Sequence, residues 1–192
     1  MKTLNQHIQE KLIINKDYHD NTIVIKSFDE LRKIIEQRYE EQGPGTKQNP
    51  IDFNDIDVSH IRSFCNDDGN EGIFDNTFFK YIDISDWDVS NVTNMNGMFF
   101  MCDELKSVGD ISKWNVSKVT DMNSMFNGCN ELEFIGDISE WDVSNVTNMG
   151  HMFNSCNNFN QDISNWNVSK VMFKYRMFYN CAIKEEYKPK FK

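Results

Sequence analysis

The sequence predicts an α/β repeat protein, a short solenoid preceded by a smaller cap, and three observations predict it. The sixteen residues from Asp83 to Met98, DISDWDVSNVTNMNGM, return as DISKWNVSKVTDMNSM from Asp110 and as DISEWDVSNVTNMGHM from Asp137. A weaker copy, DISNWNVSKVMFKYRM, starts at Asp162. Trp87, Trp114, Trp141 and Trp166 mark these copies at intervals of 27, 27 and 25 residues, and Cys102, Cys129, Cys156 and Cys181 keep the same intervals. A period of this size belongs to arrays in which one copy cannot bury its own apolar face and stacking on neighbours does so.

Taken in order, residues 1–45 read as an N-terminal β-strand/α-helix cap, residues 46–181 as about five copies of 25–27 residues, and residues 182–192 as a tail. Leu4, Ile8 and Leu12 recur at i, i+4 and i+8 and predict a short helix over Leu4 to Ile13. Thr22 to Lys26, TIVIK, is rich in β-branched residues and suits a strand. Ser27 and Glu30 form an S-x-x-E capping box that opens a helix. On that helix Phe28, Leu31, Ile34, Ile35 and the pair Arg38–Tyr39 build one stripe, and Gly43 with Pro44 ends it. GPGTKQNP then connects to the array.

The first copy is degenerate. Ile56-Asp57-Val58-Ser59-His60-Ile61 aligns on Trp87-Asp88-Val89-Ser90-Asn91-Val92, with isoleucine in place of tryptophan. The step from Ile56 to Trp87 is 31 residues, and its excess falls in CNDDGNEG, between Phe64 and Ile73-Phe74. A polar insertion of this kind maps to a surface loop, often on the binding edge of an array.

Two periods alternate inside each copy. Val92, Met95, Met98, Phe99 and Cys102 are spaced 3, 3, 1 and 3, and the frame recurs in Met125, Phe126, Cys129 and in Met152, Phe153, Cys156. That spacing suits one face of a helical or 3-10 segment. Ile111, Trp114 and Val116 fall nearer a period of two, as in a short extended segment. One short strand and one short helical segment per copy is leucine-rich-repeat-like, and stacking would pair the strands in parallel. In the last copy Lys174 stands where its predecessors carry methionine, so this copy reads as a C-terminal cap.

Composition narrows the function. Residues 1–50 are balanced, residues 51–180 hold 20 acidic and 8 basic side chains for a net of −12, and the last twelve residues give +2. An array this acidic is not expected to bind nucleic acid directly. No run of apolar residues is long enough to span a membrane. The first twenty residues lack the apolar core of a secretory signal, so the expectation is a cytoplasmic protein, or a cell-surface one if a signal was removed. The cysteine column lacks CxxC pairs and histidine partners, and reads as reduced thiols serving as small buried apolar groups. Cys65, off the register, is expected to be partly exposed.

The frame V-T-N-M-x-x-M-F-x-x-C followed by D-I-S-x-W-[DN]-V-S resembles the BspA-like leucine-rich repeats of bacterial surface proteins. It is closest to the Mycoplasma-type lipoprotein repeat family of unknown function. The likeness covers about residues 51–181. It implies a leucine-rich-repeat-like solenoid that binds other macromolecules, and it brings no catalytic residues.

No catalytic constellation emerges from the residues themselves. His7, His19, His60 and His151 share no position in the repeat, and neither G-x-S-x-G nor a phosphate-cradling glycine loop occurs. The column Asp83, Asp110, Asp137 and Asp162 reads as turn caps assisted by Ser85, Ser112, Ser139 and Ser164, with calcium between copies as the alternative. The expectation is therefore a non-enzymatic protein-binding module without cofactors, with a basic protein as partner. Its contact residues are the variable positions Asp86, Lys113, Glu140, Asn165, Asn96, Asn123 and His151, joined by Asp67, Asp68 and Glu71 of the inserted loop. Two alternatives stand beside it. One is an acidic nucleic-acid-mimicking inhibitor; the other is carbohydrate or cell-surface adhesion through a ribbon of exposed tryptophans.

Overall fold

A computed structural model describes residues 22–191 of the chain. The helix expected over Leu4 to Ile13 lies outside these residues. Strand β1 (Ile23–Val24) leads into helix α1 (Phe28–Gln42), and the Ser27 side chain accepts the N–H of Glu30 at its start. The Glu30 carboxylate reaches back one residue before the cap and accepts the N–H of Lys26 at 2.8 Å. Gly43, at φ 72°, closes the helix by donating to the carbonyl of Tyr39. Leu31, Ile34 and Ile35 bury the inner stripe of α1 against the first copies.

Regular strand is scarce. β2 (Ile51–Asp52), β3 (Ile56–Asp57) and β4 (Ile82–Asp83) have two residues each; β1 pairs in parallel with β3, and β2 with β4. Further along, the copies are joined by single parallel bridges: Ser63 to Asn94, Asn94 to Asp121, Asp121 to Asn148, and Asn148 to Phe173. This differs from the expected strand at Ile111, Trp114 and Val116. There the N–H of Trp114 turns back to the carbonyl of Ile111, and only Ile111 donates to the next copy, at Ile135.

The expected helical or 3-10 segment is a run of separate turns, in which Met98, Phe100 and Cys102 donate to the carbonyls three residues back, at Met95, Gly97 and Phe99. Met95, Gly97, Phe99 and Met101 donate their N–H groups to the carbonyls of Asp121, Asn123, Met125 and Asn127 in the next copy, at 2.8–2.9 Å. A helix would spend those donors on its own carbonyls four residues back. Gly97 (φ 62°) and Met101 (φ 56°) take left-handed conformations that turn the chain out of a helix. The same ladder runs from Met122, Ser124, Phe126 and Gly128 to the following copy, and from Met149, His151, Phe153 and Ser155 to the last. The 3, 3, 1, 3 spacing still puts one face inward, because this turn and a helix share it.

The core is a set of columns. Phe74, Phe99, Phe126, Phe153 and Phe178 stack at centroid distances of 5.2, 5.2, 5.6 and 6.1 Å. Trp114, Trp141 and Trp166 stack at 6.3 and 6.2 Å, and Trp87 stacks on Phe64 and Phe74 instead. The tryptophans are only 3–4 % exposed. Each indole N–H donates to a carbonyl of the preceding copy, at Phe53, Ile84, Ile111 and Ile138 in turn. Met98, Met125 and Met152 are buried beside them.

The cysteine column adds another link, with the thiols of Cys102, Cys129 and Cys156 3.0–3.1 Å from the carbonyls of Phe74, Phe99 and Phe126. Cys181, half-buried, reaches Phe159 more loosely at 3.7 Å. Cys65, at 4 % exposure, is buried rather than partly exposed, because the inserted loop folds back in an antiparallel bridge from Cys65 to Gly72.

Candidate partner-binding surfaces

The outer edge of the array is built from Asx turns. Asp83, Asp110, Asp137 and Asp162 each accept, through Oδ1, the N–H of the serine two residues on, at 2.9–3.0 Å. A second column, Asp88, Asn115, Asp142 and Asn167, does the same with Ser90, Ser117, Ser144 and Ser169. The short side chain mimics a backbone turn and fixes the carboxylate's direction. Bonds to serine hold the carboxyls of Asp88, Asp137, Asp142 and Asp162 below the usual carboxylate range. At Asp83 burial pushes the other way, yet the N–H and hydroxyl of Ser85 prevail. Among the described residues, no lysine or arginine pairs with any of these carboxylates.

Asp86, Lys113, Glu140 and Asn165 occupy one exposed position in successive copies beside these turns. Asn96 and Asn123 do not belong with them. Each is half-buried, and Asn123 Nδ2 donates to Asn96 Oδ1 at 2.9 Å, so their amides are spent in an internal ladder. The neighbouring Gly97 and Gly150 are buried, and His151 is half-buried with its ring edge-on to Tyr175. Thr93, Thr120 and Thr147 form a parallel ladder, each hydroxyl donating to the carbonyl one copy back, at Arg62, Thr93 and Thr120.

The inserted loop makes a second surface. Asn66 Oδ1 accepts the N–H groups of Asn70 and Glu71, and Asn96 Nδ2 donates to the carbonyl of Gly69 at 2.9 Å, pinning the loop onto the array. Beneath it lies a cleft of about 190 Å³ lined by Cys65, Glu71, Asp75, Asn96, Asn123 and Ser124. Structure thus joins Glu71, Asn96 and Asn123 in one place. Asp67 and Asp68 stay exposed on the loop, and Asp86, Lys113, Glu140 and Asn165 lie on a separate edge. Asp75 is 6 % exposed, and burial raises its carboxyl to about 6, against the opposing pull of the Arg32 guanidinium.

Burial raises the thiols of Cys129 and Cys156 far above their ordinary value, so they stay protonated. Among the described residues, no three His, Cys, Asp or Glu side chains converge as a metal site. Each turn-capping aspartate already has Oδ1 engaged by its serine. The ribbon of exposed tryptophans is overturned outright, because all four indoles are buried and hydrogen-bonded.

A third surface was not read from the sequence as one that binds. Met172, Phe173, Tyr175 and Tyr179 of the last copy are 53–70 % exposed. The available signal was the run MFKYRMFY, in which Thr147, Asn148, Gly150 and Asn154 of the previous copy become Met172, Phe173, Tyr175 and Tyr179. The tail covers only part of this copy: Tyr187 and Phe191 pack on the core, and Lys174 Nζ sits 4.5 Å from the ring centroid of Phe191.

No helix among the described residues is long and apolar enough to cross a membrane. No curated protein and no solved structure matches the chain. A family model described as "Mycoplasma protein of unknown function, DUF285" matches residues 69–188, from the tip of the inserted loop to the tail. With well over half of its length so matched, the chain belongs to that Mycoplasma family.

Proposed function

We propose that the chain is a non-enzymatic protein-binding module, a leucine-rich-repeat-like solenoid of the BspA-like kind, whose outer carboxylate columns engage a basic protein. One observation carries this reading: the carboxylates of Asp88, Asp137, Asp142 and Asp162 are oriented by their own serines, and among the described residues none forms a contact ion pair, Lys118 and Lys170 acting on Asp88 and Asp142 only from further off. Carboxylates fixed in this way lose little conformational freedom on binding, and a row of them raises both the encounter rate and the selectivity for a cationic partner. Asp86 and Glu140 sit beside the row without a capping role and are suited to tuning it.

Affinity capture from the native host, with the intact chain and an Asp86→Lys, Glu140→Lys variant as paired baits, tests the reading. Basic proteins are expected on the first bait and depleted about tenfold on the second, since like charges in contact cost more than 1 kcal/mol. Neutral or acidic proteins held equally by both would end it. Displacement of the captured protein by duplex DNA would favour the nucleic-acid-mimicking alternative.

A further inference from the structure

The stretch of ladder that runs through Met95 to Met101 and its equivalents donates toward the next copy, while Thr120, Thr147 and Met172 beside it donate back, so along that stretch the last copy ends in donors. Met149, His151, Phe153 and Ser155 donate to the carbonyls of Phe173, Tyr175, Met177 and Tyr179. Their equivalents one copy on are Lys174, Arg176, Phe178 and Asn180. Among the described residues, the N–H groups of these four donate to no acceptor. Arg176 (φ 52°) and Asn180 (φ 54°) keep the left-handed turns of His151 and Ser155, so this edge has the shape of a copy awaiting its neighbour.

The side chains around the edge have changed character. Interior copies carry threonine, asparagine and aspartate there, whose side-chain donors reach the preceding copy. At the edge stand Met172, Phe173, Tyr175 and Tyr179, all exposed, and the Arg176 guanidinium lies 5.1 Å from the ring centroids of both Tyr175 and Tyr179. Tyrosine and arginine held together are the usual energetic centre of a protein interface, and exposed apolar side chains in a cluster call for a cover. Charge turns over at the same point. Residues 51–169 hold 20 acidic and 5 basic side chains, a net of −15, whereas residues 170–192 hold 2 acidic and 7 basic, a net of +5.

From this geometry we infer that the outer edge of the last copy, from Met172 to Asn180, docks an acidic, extended segment of a protein partner by adding it to the ladder. Backbone carbonyls of the segment accept from Lys174, Arg176 and Asn180. Its carboxylates face Lys174 and Arg176, and its apolar side chains lie on Phe173, Tyr175 and Tyr179. Another copy of this chain does not fit, because the acceptor edge of the first copy is occupied: Arg32 donates to the carbonyls of Gly72, Ile73 and Asp75. The surface is separate from the carboxylate columns of the proposed function, and either assignment stands or falls alone.

Selection of random twelve-residue peptides on the intact chain tests the inference. The expected binders combine Asp or Glu with an aromatic or aliphatic residue and shift the amide resonances of Lys174, Arg176 and Asn180. A Lys174→Glu, Arg176→Glu variant is expected to bind them about tenfold or more weakly, as like charges replace opposite ones at the contact. Asp86→Lys with Glu140→Lys is expected to leave that binding intact. Because charge reversal at an exposed edge leaves the core alone, unchanged near-ultraviolet circular dichroism is the expected control. Neutral or basic binders would overturn the inference, as would acidic binders insensitive to the Glu variants. So would tighter binding of oligothymidylate than of the peptides at this edge, or concentration-dependent self-association that the variant abolishes.

Discussion

The two ends of the array have opposite chemistry, and only one of them is closed within the described residues. At the N-terminal end the carbonyls of Ile73 and Asp75 hold the places from which Met98 and Phe100, one copy on, accept the N–H groups of Phe74 and Asn76. With no earlier copy to supply donors, the Arg32 guanidinium of α1 supplies them, at 3.0 Å to Ile73 and 3.1 Å to Gly72 and Asp75. At the C-terminal end the ladder finishes in N–H groups, which a cation cannot satisfy. Along this stretch the stacked copies therefore present acceptors at the start and donors at the finish, much as a helix does in reverse, while Thr120, Thr147 and Met172 beside it donate to the preceding copy. A cationic side chain closes the first edge; an acceptor-rich, anionic group is what the second edge lacks.

Removing the closure at the first edge should have the largest effect. Arg32→Ala leaves three backbone carbonyls without their charged donor and severs contacts to Glu36 and Glu71 at 3.0 and 3.6 Å. With the Arg32 side chain 18 % exposed, the expected loss is about 3 kcal/mol of stability, read from urea midpoints. Arg32→Lys should recover only part of it, because a single ammonium cannot span three carbonyls as the planar fork does. Arg176→Ala at the open end is expected to cost no more than about 0.5 kcal/mol. Equal losses at both ends would erase the distinction between them.

Asp75 lies under the same arginine and gives a pH-dependent view of that end. Its folded-state value near 6 lies above the ordinary 3.8, so the folded protein takes up its proton before the unfolded chain does. The resulting penalty on folding is complete above about pH 6 and fades as pH falls toward 4. Asp75→Asn keeps an acceptor for Asn76 and removes the titration, and is expected to stabilise the protein at pH 7 by on the order of 2 kcal/mol, with the gain vanishing near pH 4. Asp88, Asp137, Asp142 and Asp162, with lowered values, act in the opposite sense and lose their contribution as pH falls. The difference between wild type and Asp75→Asn, rather than either curve alone, isolates Asp75. A pH-independent difference would show that its carboxyl is not buried in the way described.

Much of this was written in the sequence as columns. A residue that recurs at every copy, such as Trp114, Phe126 or Asp137 with Ser139, declares its environment through the repeat itself. In the first copy Ile56 sits where Trp87 sits, each donating to the carbonyl three residues back. Hydrogen-bond direction was not legible. The spacing of Met95, Met98 and Phe99 fits a helix and a left-handed turn equally, and only the glycines at 97 and 128 hinted at the latter. Asn96 and Asn123 share one repeat position and pair with each other half-buried, which no periodicity reveals. Lys174 marked the last copy as different, but its aromatic face stays open because of the path of the tail, which follows from long-range packing rather than local pattern.

The smallest expected effect separates an interior turn from its terminal equivalent. Ser155 and Asn180 hold the same left-handed position one copy apart, at φ 60° and 54°, and Gly128 holds it in the copy before, at φ 82°. A left-handed conformation costs a serine about 1–2 kcal/mol, and glycine returns about 0.5–1 of that as lost unfolded-state restriction. Ser155→Gly is therefore expected to raise stability by about 0.5 kcal/mol, a shift of a degree or two in Tm for a chain of this size. Asparagine tolerates the conformation, and the N–H of Asn180 has no neighbouring copy to hold, so Asn180→Gly is expected to change nothing measurable. If Asn180→Gly instead gained as much as Ser155→Gly, the last turn would be as tightly held as the interior ones, and its donor edge would already have an acceptor.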